Sequence, residues 1–301
     1  MESILNMLKS LYKGENVAKK HWLLVLLLVL PTITGAVVGY IDKETPKELF
    51  IIILIAALIL LVLSILPYIG LSGMALSFMH NRYHNKEEGI PLLNKDMFIT
   101  GIKAIPLYLV WGVYWCLFGL LVITLCFLPV IIPSVMVPEF TNNLGLFIGM
   151  FALSMLFMFL ACFVFYLLVP FSAYVSVTYA KTFEYTNRLF NPLIIIEYIK
   201  KSFKNSVLVA LKYLLVNIVV SFVSSFVYVF GFIILFIIGI FAAVSVPENV
   251  ELTTVPWFVV LSILIASAMG LVQVYLSTII GYGMVGNLID VYKSEVDTIE
   301  E

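Results

Sequence analysis

Six apolar runs constrain this chain more than any other feature: residues 21–40, 50–66, 106–133, 146–170, 207–244 and 257–282. Each reaches or approaches the roughly 20 residues that an α-helix needs to cross about 30 Å of hydrocarbon. Composition agrees. The chain is 62% hydrophobic and 12% charged, with a mean hydropathy of +1.11, whereas a soluble domain carries roughly 25% charged residues. Such a sequence cannot cover itself with water-compatible side chains. It is read as an all-α polytopic integral membrane protein of six transmembrane helices.

The placement of charge sets the expected orientation. Of the 17 Lys and Arg residues, only Lys43 and Lys47 fall in the connectors after the first, third and fifth spans; the rest flank the opposite ends. The excess of Lys and Arg in cytoplasmic segments predicts both termini inside, together with the polar islands after spans two and four. The net charge of −1 gives no basis for binding nucleic acid. Cys116, Cys126 and Cys162 all lie within expected spans and show no pairing or CxxC pattern, so they read as small buried hydrophobes. The first span is not read as a cleaved signal peptide, because its polar leader is too long and no A-x-A-like site follows it.

A repeat of about 100 residues runs through the chain. The segments starting at Pro91 and Pro192, PLLNKDMFITGIK and PLIIIEYIKKSFK, share an acid at Asp96/Glu197, a small residue at Gly101/Ser202 and a lysine at Lys103/Lys204. In the second, Glu197, Lys200, Lys201 and Lys204 share one side of a helical wheel, as in an amphipathic helix lying at the membrane interface. In the first, Asn94 and Gly101 interrupt the apolar face. The N-terminal SILNMLKSLYK sets Ile4, Met7, Leu8 and Leu11 opposite Lys9 and Lys13. Small residues recur at the ends of the second span of each pair, in LPYIGLSGMAL (66–76), VPFSAYVSVTY (169–179) and IIGYGMVGNLI (279–289), where they allow close helix approach. Pro67 and Pro170 are expected to kink or unwind their helices. The expected organisation is one membrane domain, 1–301, of three tandem hairpins (about 1–85, 86–188 and 189–290, with a tail at 291–301). A cytoplasmic-face amphipathic helix precedes each hairpin.

Reactive chemistry is weakly signalled. His80 and His84 have i, i+4 spacing and could share a metal with Glu87 or Glu88, but no third firm ligand stands nearby, and a solvated helix end is the simpler reading. GYGMVG at 281–286 spells the dinucleotide fingerprint without its strand, so helix packing explains the glycines better. Neither a cofactor nor a metal is expected. No ionisable residue sits at the middle of a span, which counts against ion-coupled transport. The fifth span carries a polar stripe of Asn217, Ser221, Ser224 and Ser225, and the sixth carries Gln273 and Ser277. Counting inward, Asn217 and Gln273 are expected at similar depth, as interhelical glue or as the lining of a hydrated pocket. Tyr108, Trp111, Tyr114 and Trp115 read as interface anchors and packing, with a stacking site for a ligand as the alternative.

The stretch GLSGMALSFMHNRYHNKEEGIPLLNKDMFITGIKAIPLYLVWGVYW resembles the prokaryotic multi-pass family known as domain of unknown function 4013, through Gly89, Pro91, Gly101, Lys103, Ala104 and Trp111. The likeness is clearest over residues 1–130, and it is more distant to the membrane domains accompanying some glycerophosphodiester phosphodiesterases. It implies the cell membrane of a prokaryote and transfers no functional residue.

Three functions are compatible with these features. The leading one is a non-enzymatic membrane protein that binds or organises lipid, or a membrane partner, through Lys95, Lys103, Lys200, Lys201 and Lys204. The second is a carrier or channel for an uncharged or lipidic substrate along the polar stripe. The third is a lipid-headgroup enzyme using His80, His84, Asp96, Glu184 or Glu197, which requires at least three of them to converge.

Overall fold

The computed structural model describes residues 4–38, 47–86, 89–136, 144–245 and 256–297. Lys43, Glu87, Glu88 and the connectors without Lys or Arg lie outside these ranges. The described residues form α1 (Ile4–Ser10), α2 (Val17–Val38), α3 (Lys47–Tyr83), α4 (Lys95–Met136), α5 (Leu144–Thr182), α6 (Leu193–Ser245) and α7 (Pro256–Val291). A 3-10 turn at Asn187–Phe190 joins α5 to α6, and a π turn at Tyr292–Val296 follows α7. Six of the helices are long and apolar enough to cross a membrane, and no strand occurs among the described residues. Their outward side chains include Leu61, Leu120, Phe159 and Phe232, each more than half exposed. Lipid tails solvate such side chains as readily as a protein interior does.

Local chemistry sets where the helices begin. Between α1 and α2 the chain turns through Gly14 and Asn16, at φ 94° and 57°, a region that glycine and asparagine enter at little cost. Asn94 accepts a hydrogen bond from the Met97 N–H at 3.0 Å, and Asn191 accepts one from the Leu193 N–H at 3.0 Å. Each thereby satisfies a donor that the first turn of its helix leaves orphaned. Asn94, read from sequence as a break in an apolar face, is therefore a helix cap.

Of the two amphipathic segments within long helices, the first differs from the expected separate surface helix and the second is set apart by a kink. Residues 95–103 and 193–201 are the opening turns of α4 and α6, which are 42 and 53 residues long. The first runs on into its span through Pro106, whereas the second is set off from its span by a kink. Within α6 the backbone leaves helical geometry at Ser202 (φ −132°, ψ 18°), whose hydroxyl donates back to the Tyr198 carbonyl at 2.9 Å. Such back-bonding bends helices. At Pro67 and Pro170 the helices do not unwind: α3 and α5 run helically through both. One missing N–H does not unwind a span whose remaining bonds hold and whose neighbours support it.

Packing divides the chain into two compact units, 1–103 with 212–290, and 104–211 with 291–301. The first is centred on Met7, Leu24, Met74, Phe78, Met97 and Tyr282. Glycines set its helix spacing. A Cβ on Gly73 would lie 1.8 Å from the Met97 carbonyl oxygen, and one on Gly101 would lie 2.2 Å from that of Ile69. The backbones of α3 and α4 therefore cross in direct contact. On α7, a Cβ on Gly286 would lie 1.9 Å from the Met7 methyl, and one on Gly283 would lie 2.8 Å from Leu8. The apolar face of α1 is thus buried in protein, with Met7 and Leu11 at 0% and 1% exposure. That corrects its reading as a helix resting on the membrane surface. Lower in this unit, α2 meets α3 through Thr34 and Ser64, whose hydroxyls are 3.0 Å apart.

The second unit is held by a polar aromatic core. Tyr174, Tyr198 and Tyr292 pack together with centroids 5.4–6.0 Å apart, Tyr198 edge-on to the other two. Thr178 Oγ1 contacts the hydroxyls of Tyr198 and Tyr292 at 2.5 and 2.9 Å, and Tyr174 reaches Ser206 at 2.7 Å. Lys181–Asp297 and Asn205–Glu295 contacts fasten the terminal π turn.

Candidate functional site

In each unit, the surface best suited to a ligand lies on the opening turns of an amphipathic segment, α1 and residues 95–103 in the first and residues 193–204 in the second. In α1 and the turn that follows it, Met7, Ser10 and Leu11 face the core and Lys9 is exposed. In α4, Met97, Gly101 and Ala104 face inward, and Lys95 and Lys103 are exposed. In α6, Ile194, Tyr198 and Ser202 face inward, and Lys200 and Lys204 are exposed. A helix turn of 3.6 residues places the lysines opposite the buried positions in each case. Lys200 and Lys204 form no ion pair among the described residues. Lys201 is different. Its ammonium lies 3.1 Å from Glu197, which Arg188 also reaches at 2.8 Å. Lys201 and Arg188 therefore neutralise an acid and tether the 3-10 turn to α6, leaving Lys200 and Lys204 as that segment's unpaired cations.

The remaining candidates are distributed as follows. His80 and His84 lie with ring centroids 4.5 Å apart, and His80 Nε2 is 3.1 Å from Lys86 Nζ. No group of three His, Cys, Asp or Glu side chains gathers for a metal among the described residues. Asp96 and Glu184 are exposed, and Glu197 is engaged by Arg188 and Lys201. Trp111 donates through Nε1 to the Leu189 carbonyl at 2.8 Å, and Tyr114 donates to that of Phe190 at 3.1 Å. These two aromatics clamp the connector between α5 and α6.

The polar stripe is not one wet face. Ser224 is buried, Asn217 and Gln273 are half-buried, and Ser221, Ser225 and Ser277 are exposed. Ser225 closes on the Ser221 carbonyl at 2.9 Å. No hydrogen bond joins Asn217 to Gln273 among the described residues, and Gln273 Oε1 and Ser224 Oγ are buried without partners. A polar contact that does link α6 and α7 is Asn287 to Tyr213, at 3.1 Å. A half-buried pair, Arg82 with both carboxylate oxygens of Asp290 at 3.2 and 3.1 Å, joins the ends of α3 and α7. Sequence reasoning missed both pairs. Their only signal is a polar residue near the end of each apolar run.

Among the described residues the regular structure is helical, and six apolar helices of spanning length give the architecture of a multi-pass membrane protein. Comparison with protein-family models, curated proteins and solved structures finds no match to it.

Proposed function

We propose that this chain is a non-enzymatic integral membrane protein that holds anionic lipid headgroups against its cytoplasmic face, with both termini inside and its spans arranged as three tandem hairpins. One observation carries the reading: Lys95, Lys103, Lys200 and Lys204 project, exposed, from helix turns whose other side is locked into protein. A helix seated on glycine or on a buried tyrosine keeps its cations at a fixed height, so their binding entropy is partly prepaid. Each lysine near an anionic surface contributes about 1 kcal/mol. Each unit carries two of them, enough to favour phosphatidylglycerol over phosphatidylcholine.

The test is native mass spectrometry of protein purified in detergent and offered equal amounts of the two lipids. Wild type retains phosphatidylglycerol preferentially at low salt, and the preference shrinks as the Debye length falls towards about 8 Å at 0.15 M. The variant Lys95→Gln/Lys103→Gln/Lys200→Gln/Lys204→Gln loses it. Equal retention of both lipids by the wild type sinks the reading.

A further inference from the structure

In the unit formed by residues 104–211 and 291–301, α4 and α5 enclose a cleft of about 200 Å³. α4 supplies Tyr108, Trp111, Gly112 and Trp115, and α5 supplies Ser172 and Ser176. The serines are four residues apart, so both hydroxyls stand on one face of the helix. Thr124 and Thr178, elsewhere in the same two helices, return their hydroxyls to the carbonyl four residues back. Ser172 and Ser176 make no hydrogen bond to protein among the described residues. Gly112 leaves the wall open, since a Cβ there would meet no atom within 4 Å.

The depth of the cleft follows from Trp111 and Tyr114, which are tied to carbonyls of the polar connector at Leu189 and Phe190. Tryptophan and tyrosine concentrate at that headgroup level. No charged side chain lines the cleft, so its occupant is uncharged. A quaternary ammonium would suit aromatic walls, but it offers nothing to two unpartnered hydroxyls. A hydroxyl or ester group satisfies the serines, and the aromatic faces cover adjoining carbon. The volume is that of about seven waters at roughly 30 Å³ each, below the 300–1,000 Å³ of pockets that enclose a whole ligand. Only a head is enclosed, and the hydrocarbon remains in the bilayer.

We infer that this cleft binds the uncharged glycerol head of a diacylglycerol-class lipid, between the Tyr108–Trp111–Trp115 wall and the hydroxyls of Ser172 and Ser176. This inference does not rest on the lysines.

The experiment uses the full chain in phosphatidylcholine nanodiscs with a diacylglycerol carrying a photoactivatable group near its glycerol, and maps the adducts by peptide. Adducts are expected on 107–115 and 172–176. Gly112→Leu, which fills the opening, lowers labelling by at least about tenfold, equivalent to roughly 1.4 kcal/mol. Ser172→Ala and Ser176→Ala each lower it about fivefold, the effect of one hydrogen bond. Gly119→Leu controls for bulk on α4, because a Cβ at Gly119 also meets nothing within 4 Å. Wild-type labelling of Gly112→Leu, undiminished labelling of the double serine variant, or adducts confined to other helices overturns the assignment. So does equal competition by phosphatidylglycerol, which would remove the requirement for an uncharged head.

Discussion

Gly73 has no room for a methyl group. Its missing Cβ would sit 1.8 Å from the Met97 carbonyl oxygen, a backbone atom that cannot move unless α3 and α4 separate. At Gly286 the nearest atom is the end of the Met7 side chain, at 1.9 Å, and a thioether has three rotatable bonds through which to turn away. Gly119 faces open space. The three glycines therefore rank. Gly73→Ala destabilises by about 3 kcal/mol, at the upper end of overpacking costs, and Gly286→Ala by about 1 kcal/mol. Gly119→Ala is neutral or stabilises by up to about 1 kcal/mol, through helix propensity. Thermal unfolding midpoints in detergent give the order directly. If Gly73→Ala melts with the wild type, the direct backbone contact is wrong.

At the scale of the helices, the spans were legible because an apolar run needs no partner to announce itself. How a helix rotates within its neighbours was not. The wheel of α1, with Met7, Leu8 and Leu11 against Lys9 and Lys13, is the same whether the apolar side meets lipid or protein; only the seat offered by Gly283 and Gly286 decides it. Asn217 and Gln273 were placed at comparable depth by counting, but depth leaves rotation free, and no bond forms between them. The turn at Tyr292–Val296 was too short and polar to stand out, yet its Tyr292 is 3% exposed. A sharp expectation distinguishes a docked α1 from a floating one. Leu11→Asp puts an unpaired carboxylate at a site of 1% exposure, where a buried group without partners costs several kcal/mol. Leu5→Asp, at 61% exposure in the same N-terminal segment, costs less than about 0.5 kcal/mol, as surface substitutions do. The pair is compared by denaturant titration in detergent. A membrane-resting α1 would make the two variants alike.

For the whole molecule, orientation rests on the lopsided distribution of Lys and Arg, with Lys43 and Lys47 alone against the rest. Moving a charged segment across the bilayer opposes the bias that sets insertion, and the loops here are short enough for that bias to act. Removing the native thiols by Cys116→Ala, Cys126→Ala and Cys162→Ala is tolerable, because Cys116 and Cys162 are exposed and Cys126 is a single small core residue. In that background, single cysteines are placed by Ser3→Cys, Thr298→Cys and Thr141→Cys. A membrane-impermeant maleimide added to intact cells should label only the Thr141→Cys protein; after permeabilisation it should label all three. Labelling of Ser3→Cys or Thr298→Cys in unbroken cells would put a terminus outside. The exposed lysines of α4 and α6 would then no longer be expected on the inner leaflet, where anionic lipid gives them a counter-charge.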